Sequence, residues 1–200
     1  MKDDGQADYR LGAHIVGVLV TPAATLRALS AQPTHRPGGS AVALLAIGWS
    51  VLLLLLWSGG HGPSVVLLPI ERESYYLLQG LVMMPLLTGL WWLSSEIAHR
   101  LAARAGGQGS EAGTRSALGF AYAAPMLIAH VVPELVAYLV GGFETMALVG
   151  RFTLGLASLW VWALSAAALR IAHGVRVPVA IGASFVGLFV QALAGGVIIR

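Results

Sequence analysis

Four stretches of this chain, Ser40 to Trp57, Tyr75 to Ser95, Phe152 to Leu169 and Val177 to Ile199, contain no charged side chain, and a fifth, Ser116 to Val140, contains only His130 and Glu134. A helix that crosses about 30 Å of hydrocarbon needs roughly 20 residues, with about 17–25 tolerated. All five stretches meet that length. Tyr75, Tyr76, Trp91 and Trp92 stand near the ends of the second, where aromatic rings suit the membrane–water interface. The third is the least regular, since Pro125 and Pro133 both fall inside it, and Pro178 opens the fifth where its missing N–H is not needed. The expected fold is therefore all-α, a polytopic membrane protein with five transmembrane helices over residues 40–200.

Composition agrees. Charged residues make up 10% of the chain and hydrophobic ones 57%, against a charged share of about 25% in soluble domains. That leaves too few charges to coat a water-facing surface. The net charge of +3 is small and no run of five Lys or Arg occurs, so no nucleic-acid partner is expected. The chain has no cysteine, which excludes disulfides, thiol catalysis and thiolate metal sites. The apolar run Leu11 to Val20 ends in Thr21 and Pro22 without a small-residue cleavage pattern, and no cleaved signal peptide is expected.

The basic residues orient the helices. Short cytoplasmic connections carry an excess of Lys and Arg. Lys2, Arg10, Arg27 and Arg36 precede the first span; Arg100, Arg104 and Arg115 fall between the second and third; Arg170 and Arg176 fall between the fourth and fifth. The alternate connections hold only Arg72, Arg151 and the terminal Arg200. Nine against three under strict alternation predicts a cytoplasmic N-terminus and an external C-terminus. Arginine-rich, alanine-rich composition suggests a GC-rich bacterial genome, which would make the membrane the plasma (inner) one.

Residues 1–39 are a cytoplasmic or interfacial segment. Leu11, Ile15, Val18 and Leu19 share one helical face, and Pro22 can open a second short helix carrying Leu26 and Leu29, with Arg27 free to reach lipid headgroups. The glycine-rich stretch Ala105 to Thr114 lacks the lysine of a phosphate-binding loop and is flanked by helices, so it reads as a connection.

The order of parts resembles a known family. The Pro-containing stretch VTPAATLRALSAQP (Val20 to Pro33) precedes the spans, GGQGS (Gly106 to Ser110) follows the second, and FAYAAP (Phe120 to Pro125) lies in the third. In these features the chain is similar to bacterial members of the Yip-one domain family, the Ypt/Rab-interacting multi-pass membrane proteins. The resemblance implies five membrane helices and a cytoplasmic N-terminus. Eukaryotic relatives act in membrane traffic and bind small GTPases. Their longer N-terminal domain and DLYGP element are not visible here, which speaks against carrying small-GTPase binding over. The resemblance supplies no catalytic residues.

Two polar constellations stand out. His130 and Glu134 lie four apart on one face of the third span, and an ionisable group at membrane depth is a candidate functional site. They could share a proton or bind a cation, with Pro133 freeing the Ala129 carbonyl as a further oxygen; alternatively they tie two helices together. Measured from Ser116, Glu134 lies about 27 Å along the helix, toward the outer interface. Glu96 and His99 form a second candidate pair at the cytoplasmic end of the second span, with the Glu-x-x-His spacing of di-metal bundles. Arg100 and Arg104 beside them favour a surface ion pair. No Gly-x-Ser-x-Gly or His-Glu-x-x-His motif is present. No enzymatic activity, metal or cofactor is expected.

Function follows as an expectation: a non-enzymatic membrane protein that organises or supports partner membrane proteins or the bilayer itself. Ala183 with Gly187 and Ala192 with Gly196 would let the fifth helix pack closely against a neighbour, in this chain or in a second copy. The alternative is a small proton- or cation-coupled transporter or channel built on the third helix.

Overall fold

The computed structural model describes residues 10–63 and 69–196. Lys2, Arg200 and the last three residues of the fifth expected span lie outside the described residues. Among the described residues the fold is helical throughout: α1 (Leu11–Val20), α2 (Pro22–Ser30), α3 (Arg36–Ser58), α4 (Tyr75–Arg104), α5 (Glu111–Met126), a π-helical turn (Leu127–Val131), α6 (Val132–His173) and α7 (Val177–Gly196).

Four continuous helical stretches are long and apolar enough to cross a membrane: Arg36–Ser58, Arg72–Arg104, Glu111–His173 and Val177–Gly196. The third contains 63 residues and would measure about 95 Å if straight, twice the thickness of a bilayer with its headgroups, about 40–45 Å. It is not straight. Gly142 has φ 75° and ψ −171°, a combination that a side chain would make costly and glycine adopts freely. The chain folds back on itself there. Glu134 and Gly150, each eight residues from Gly142, touch one another, His130 bonds to Thr153, and far from the turn Thr114 meets His173. Residues 111–173 are thus a helical hairpin that crosses twice, which makes five passes in all.

The expected boundaries shift in one instructive place. Arg151, expected in a loop, stands inside α6 nine residues beyond Gly142 and is exposed. Its long side chain can place the guanidinium near the interface from that depth. The connection between the third and fourth passes is a turn at one glycine instead of a loop. Elsewhere helices extend beyond the expected spans: α3 begins at Arg36 with a proline in its first turn, and α4 runs on to Arg104.

The two ends of the bundle are each tied together. At one end lie the starts of α3, α5 and α7 and the ends of α4 and α6, where the Gln108 N–H donates to the His173 carbonyl (3.1 Å). At the other, His61 stacks on Phe143 with ring centroids 4.5 Å apart, and the Tyr138 hydroxyl reaches the Leu55 carbonyl (3.5 Å). The short helices sit at the first end. As expected, Thr21 interrupts the helix and Pro22 restarts it; Ile15, Val18, Leu26 and Leu29 are buried, while Val16, Val20 and Arg27 face outward. The helices are docked on the bundle, with the Ser30 carbonyl lying directly against Gly113 at the start of α5. Ser110 caps α5 by accepting from the Gly113 N–H (3.1 Å), satisfying one of the donors a helix start leaves open.

Inside the bundle, small residues set the closest approach. A Cβ on Gly119 of α5 would lie 2.5 Å from the Gly38 Cα of α3. No side chain fits between those backbones. Ser116 completes the crossing, accepting from the Gly38 N–H (3.4 Å) and donating to the Thr34 carbonyl (3.3 Å). Lipid does not drive helices together as water does, so such close backbone packing is where association energy arises. Gly119→Val is therefore expected to cost about 1–3 kcal/mol through overpacking and to lower the melting midpoint in detergent, whereas Gly155→Val, where a Cβ would meet no atom within 4 Å, should leave it nearly unchanged. Equal midpoints for the two variants would contradict this packing.

Candidate functional site

His130 and Glu134 do come to one place, on the inner side of the hairpin. Pro133 lies in the first turn of α6, and the preceding residues form a π-helical turn, Leu127–Val131. A π-turn widens the helix by one residue per hydrogen-bonded ring and often marks a functional position. Here it turns the His130 side chain, 6% exposed, toward the second half of α6. Its Nδ1 lies 3.1 Å from the Thr153 hydroxyl oxygen and 3.6 Å from Glu134 Oε1. The nearer partner is the threonine. Thr153 in turn donates to the Gly150 carbonyl (3.4 Å), which leaves its oxygen lone pairs for His130 Nδ1–H. On the other side, the His130 ring meets Trp49 of α3 edge to face, with centroids 5.4 Å apart.

The Glu134 carboxylate, 14% exposed, packs on the backbone at Gly150, where any side chain would collide with it. Because α6 continues to Gly142, Glu134 stands about 12 Å short of the turn. It is two helical turns inside that end of the bundle, deeper than a span ending at Val140 implied. The cluster offers an imidazole, a carboxylate and a hydroxyl within reach of one proton, and it also joins three passes. Thr153 had no signal in the sequence: a lone threonine in an apolar run becomes legible only when the turn at Gly142 brings it opposite His130.

The second candidate pair divides. Glu96 and His99 do not bond to each other; they belong to separate networks on neighbouring faces of α4. Glu96 pairs with Arg100 one turn on and, through Oε2, with the Arg115 guanidinium at 2.6 Å. Arg115 also pairs with Glu111 and lies over the Trp92 ring, 3.7 Å from its centroid. Trp92 then meets His35 edge to face at 5.0 Å. The surface ion pair with Arg100 is thus present, and Arg104 takes no part in it. Unforeseen was Arg115: expected as a connection arginine, it is 7% exposed and held between two carboxylates and an indole. The one hint in the sequence is its place immediately before an apolar run, within reach of Glu111 four residues back.

His99 turns instead to His173 at the end of α6. The Gly109 N–H donates to His173 Nδ1 (3.2 Å), so the ring proton resides on Nε2. Thr114 donates its own hydrogen to the Ser110 carbonyl (2.7 Å) and accepts from His173 Nε2–H at 3.0 Å, with His99 Nδ1 a second acceptor at 3.2 Å. In this arrangement the Nε2–H is a donor within the network. Among the described residues no three His, Asp or Glu side chains converge for a metal. The cluster instead fixes the glycine-rich connection: a Cβ at Gly107 or Gly109 would meet the His173 ring at 2.7–2.9 Å. The glycines are required by that contact.

A partner removed from a buried ion pair leaves an uncompensated charge, at a cost of about 3–5 kcal/mol, whereas an exposed pair contributes about 0–1 kcal/mol. Glu96→Gln, which takes a carboxylate away from the buried Arg115 guanidinium, is therefore expected to lower stability by about 2–3 kcal/mol, and Glu111→Gln, whose side chain is 54% exposed, by under about 1 kcal/mol. Thermal melts of the two variants in one detergent check this; a cost for Glu111→Gln equal to that for Glu96→Gln would refute the buried clamp.

Compared with protein-family models, with curated proteins and with solved structures, the chain matches none.

Proposed function

We propose that this is a non-enzymatic integral membrane protein that organises or supports a partner membrane protein, in keeping with its resemblance to the Yip-one domain family. The observation that carries the reading is the outer face of α4. Pro85, Thr88, Gly89, Trp92 and Leu93 form an open groove with Glu96 at its rim, and all of its lining comes from this one helix. A Cβ at Gly89 would meet no atom of the chain. Small and polar residues in an otherwise apolar face let another helix approach closely and bond to it. The ionisable side chains of the interior, by contrast, are engaged in contacts between the chain's own helices.

The proposed orientation puts α1, α2 and the 105–110 connection in the cytoplasm of a bacterial cell, beneath its inner membrane. Arg27, Arg36, Arg100, Arg104, Arg170 and Arg176 support it by gathering at that end of the bundle, with Arg72 at the other. The chain has no native cysteine, so Gln108→Cys gives a single label site. Reaction with a membrane-impermeant thiol reagent only after the cell is opened is expected; reaction from outside intact cells would reverse the orientation.

A second reading rests on the His130–Thr153–Glu134 cluster beside the π-turn: proton- or cation-coupled transport, in which an irregular membrane helix lines the site. One pair of experiments separates the two. A photo-crosslinker at Thr88 in native membranes is expected to give a discrete protein adduct that Gly89→Leu removes, while purified protein in liposomes carries no flux. Flux that Glu134→Gln abolishes, with only lipid adducts at Thr88, would overturn the organising role in favour of transport.

A further inference from the structure

A cavity with polar side chains in its wall lies where α4, α5, the second half of α6 and α7 meet. Trp91 and Ser95 of α4, Tyr122 of α5, Ser165 of α6, and Ser184 and Gln191 of α7 contribute to its wall. It encloses ≈ 20 Å³ of space open to the centre of a water molecule; about 10–15 Å³ suffices for one water. Two of the hydroxyls around it are occupied by their own helices. Ser94 donates to the Trp91 carbonyl (3.1 Å) and Ser184 to the Ile181 carbonyl (3.0 Å). Two groups are not. The Trp91 indole N–H and the Ser95 hydroxyl, on residues 2% and 1% exposed, have no hydrogen-bond partner among the described residues. They are one turn apart on the same face of α4, and both line the cavity.

An unmade bond is more costly in the bilayer interior than at a surface, because no solvent substitutes for the missing partner. An indole N–H donates only, and a hydroxyl both donates and accepts. Their common partner must therefore accept from Trp91 and bond either way to Ser95. A cation fails this requirement, since it would face a donor hydrogen and the wall holds no carboxylate. An apolar molecule would leave the N–H unpaired. We propose that the cavity is a binding site for water, one molecule accepting from Trp91 Nε1–H and bonded to the Ser95 hydroxyl. So placed, it completes the polar junction between α4 and the α5–α7 wall, close to the crossing where a Cβ on Gly187 would come within 2.7 Å of the Ser94 carbonyl.

The test uses the full chain in lipid nanodiscs with ¹⁵N-labelled tryptophan, recording magnetisation transfer from water to the indole N–H signals; Trp91→Phe assigns the signal of interest. Trp162, whose indole N–H donates to the Ile181 carbonyl (3.3 Å), is the internal reference. Transfer to Trp91 several-fold faster than to Trp162 is expected, and Ser95→Val, which removes one partner and fills space, should reduce it to the Trp162 level. Transfer to Trp91 no faster than to Trp162 in the unaltered protein would show a dry cavity and overturn the proposal. Undiminished transfer in folded Ser95→Val would overturn the assigned site. If that variant does not fold, Ser95→Ala makes the same comparison.

Discussion

Hydrocarbon offers no hydrogen bonds, and the remaining features of this chain follow from that constraint. Backbone groups are satisfied within helices, and several polar side chains below the interface find partners on other passes or on their own backbone, Gln79, Trp91 and Ser95 being buried without one among the described residues. Ser50 donates across to the Gly80 carbonyl (2.8 Å), Ser116 bridges α3 and α5, and His130 reaches Thr153 across the hairpin. At the end that gathers the arginines most of them are exposed, whereas Arg115 is buried and enclosed by Glu96, Glu111 and Trp92. The polar residues therefore register the helices against one another, while the closest crossings are left to glycine.

Much of this was readable without coordinates. Length and scarcity of charge marked out the five apolar stretches, and Pro22 marked the division between the two short helices. What escaped the sequence depended on long-range geometry. Residues 141–151 fall between the expected third and fourth spans, with Arg151 expected in that connection; in the fold only Gly142 leaves the helical region, and Glu144 and Arg151 remain on helix. His130 and Glu134 were found by their chemistry, but their partner Thr153 is defined by the turn. Glu96 and His99 were grouped by spacing, yet three residues of helix place them on faces that meet different neighbours, Arg115 and His173.

These arrangements bear on function through what they leave unengaged. The clasps at both ends account for most of the ionisable side chains inside the bundle, and the N-terminal helices cover one end by docking on α5 and α6. The groove on α4 has no such cover. The proposed organising role rests on that uncovered groove.

The account depends most on the hairpin, since the pairings of His130 with Thr153 and of Thr114 with His173 exist only if residues 111–173 cross twice. Spin labels at Ile128→Cys and Leu156→Cys, both outward-facing and equidistant from Gly142, measure it directly by pulsed electron resonance in nanodiscs. A folded-back pair of helices, with axes about 8–10 Å apart, predicts a label separation below about 25 Å. An uninterrupted helix would place the two positions about 42 Å apart, and a distance near that value would contradict the hairpin and the five-pass bundle built on it.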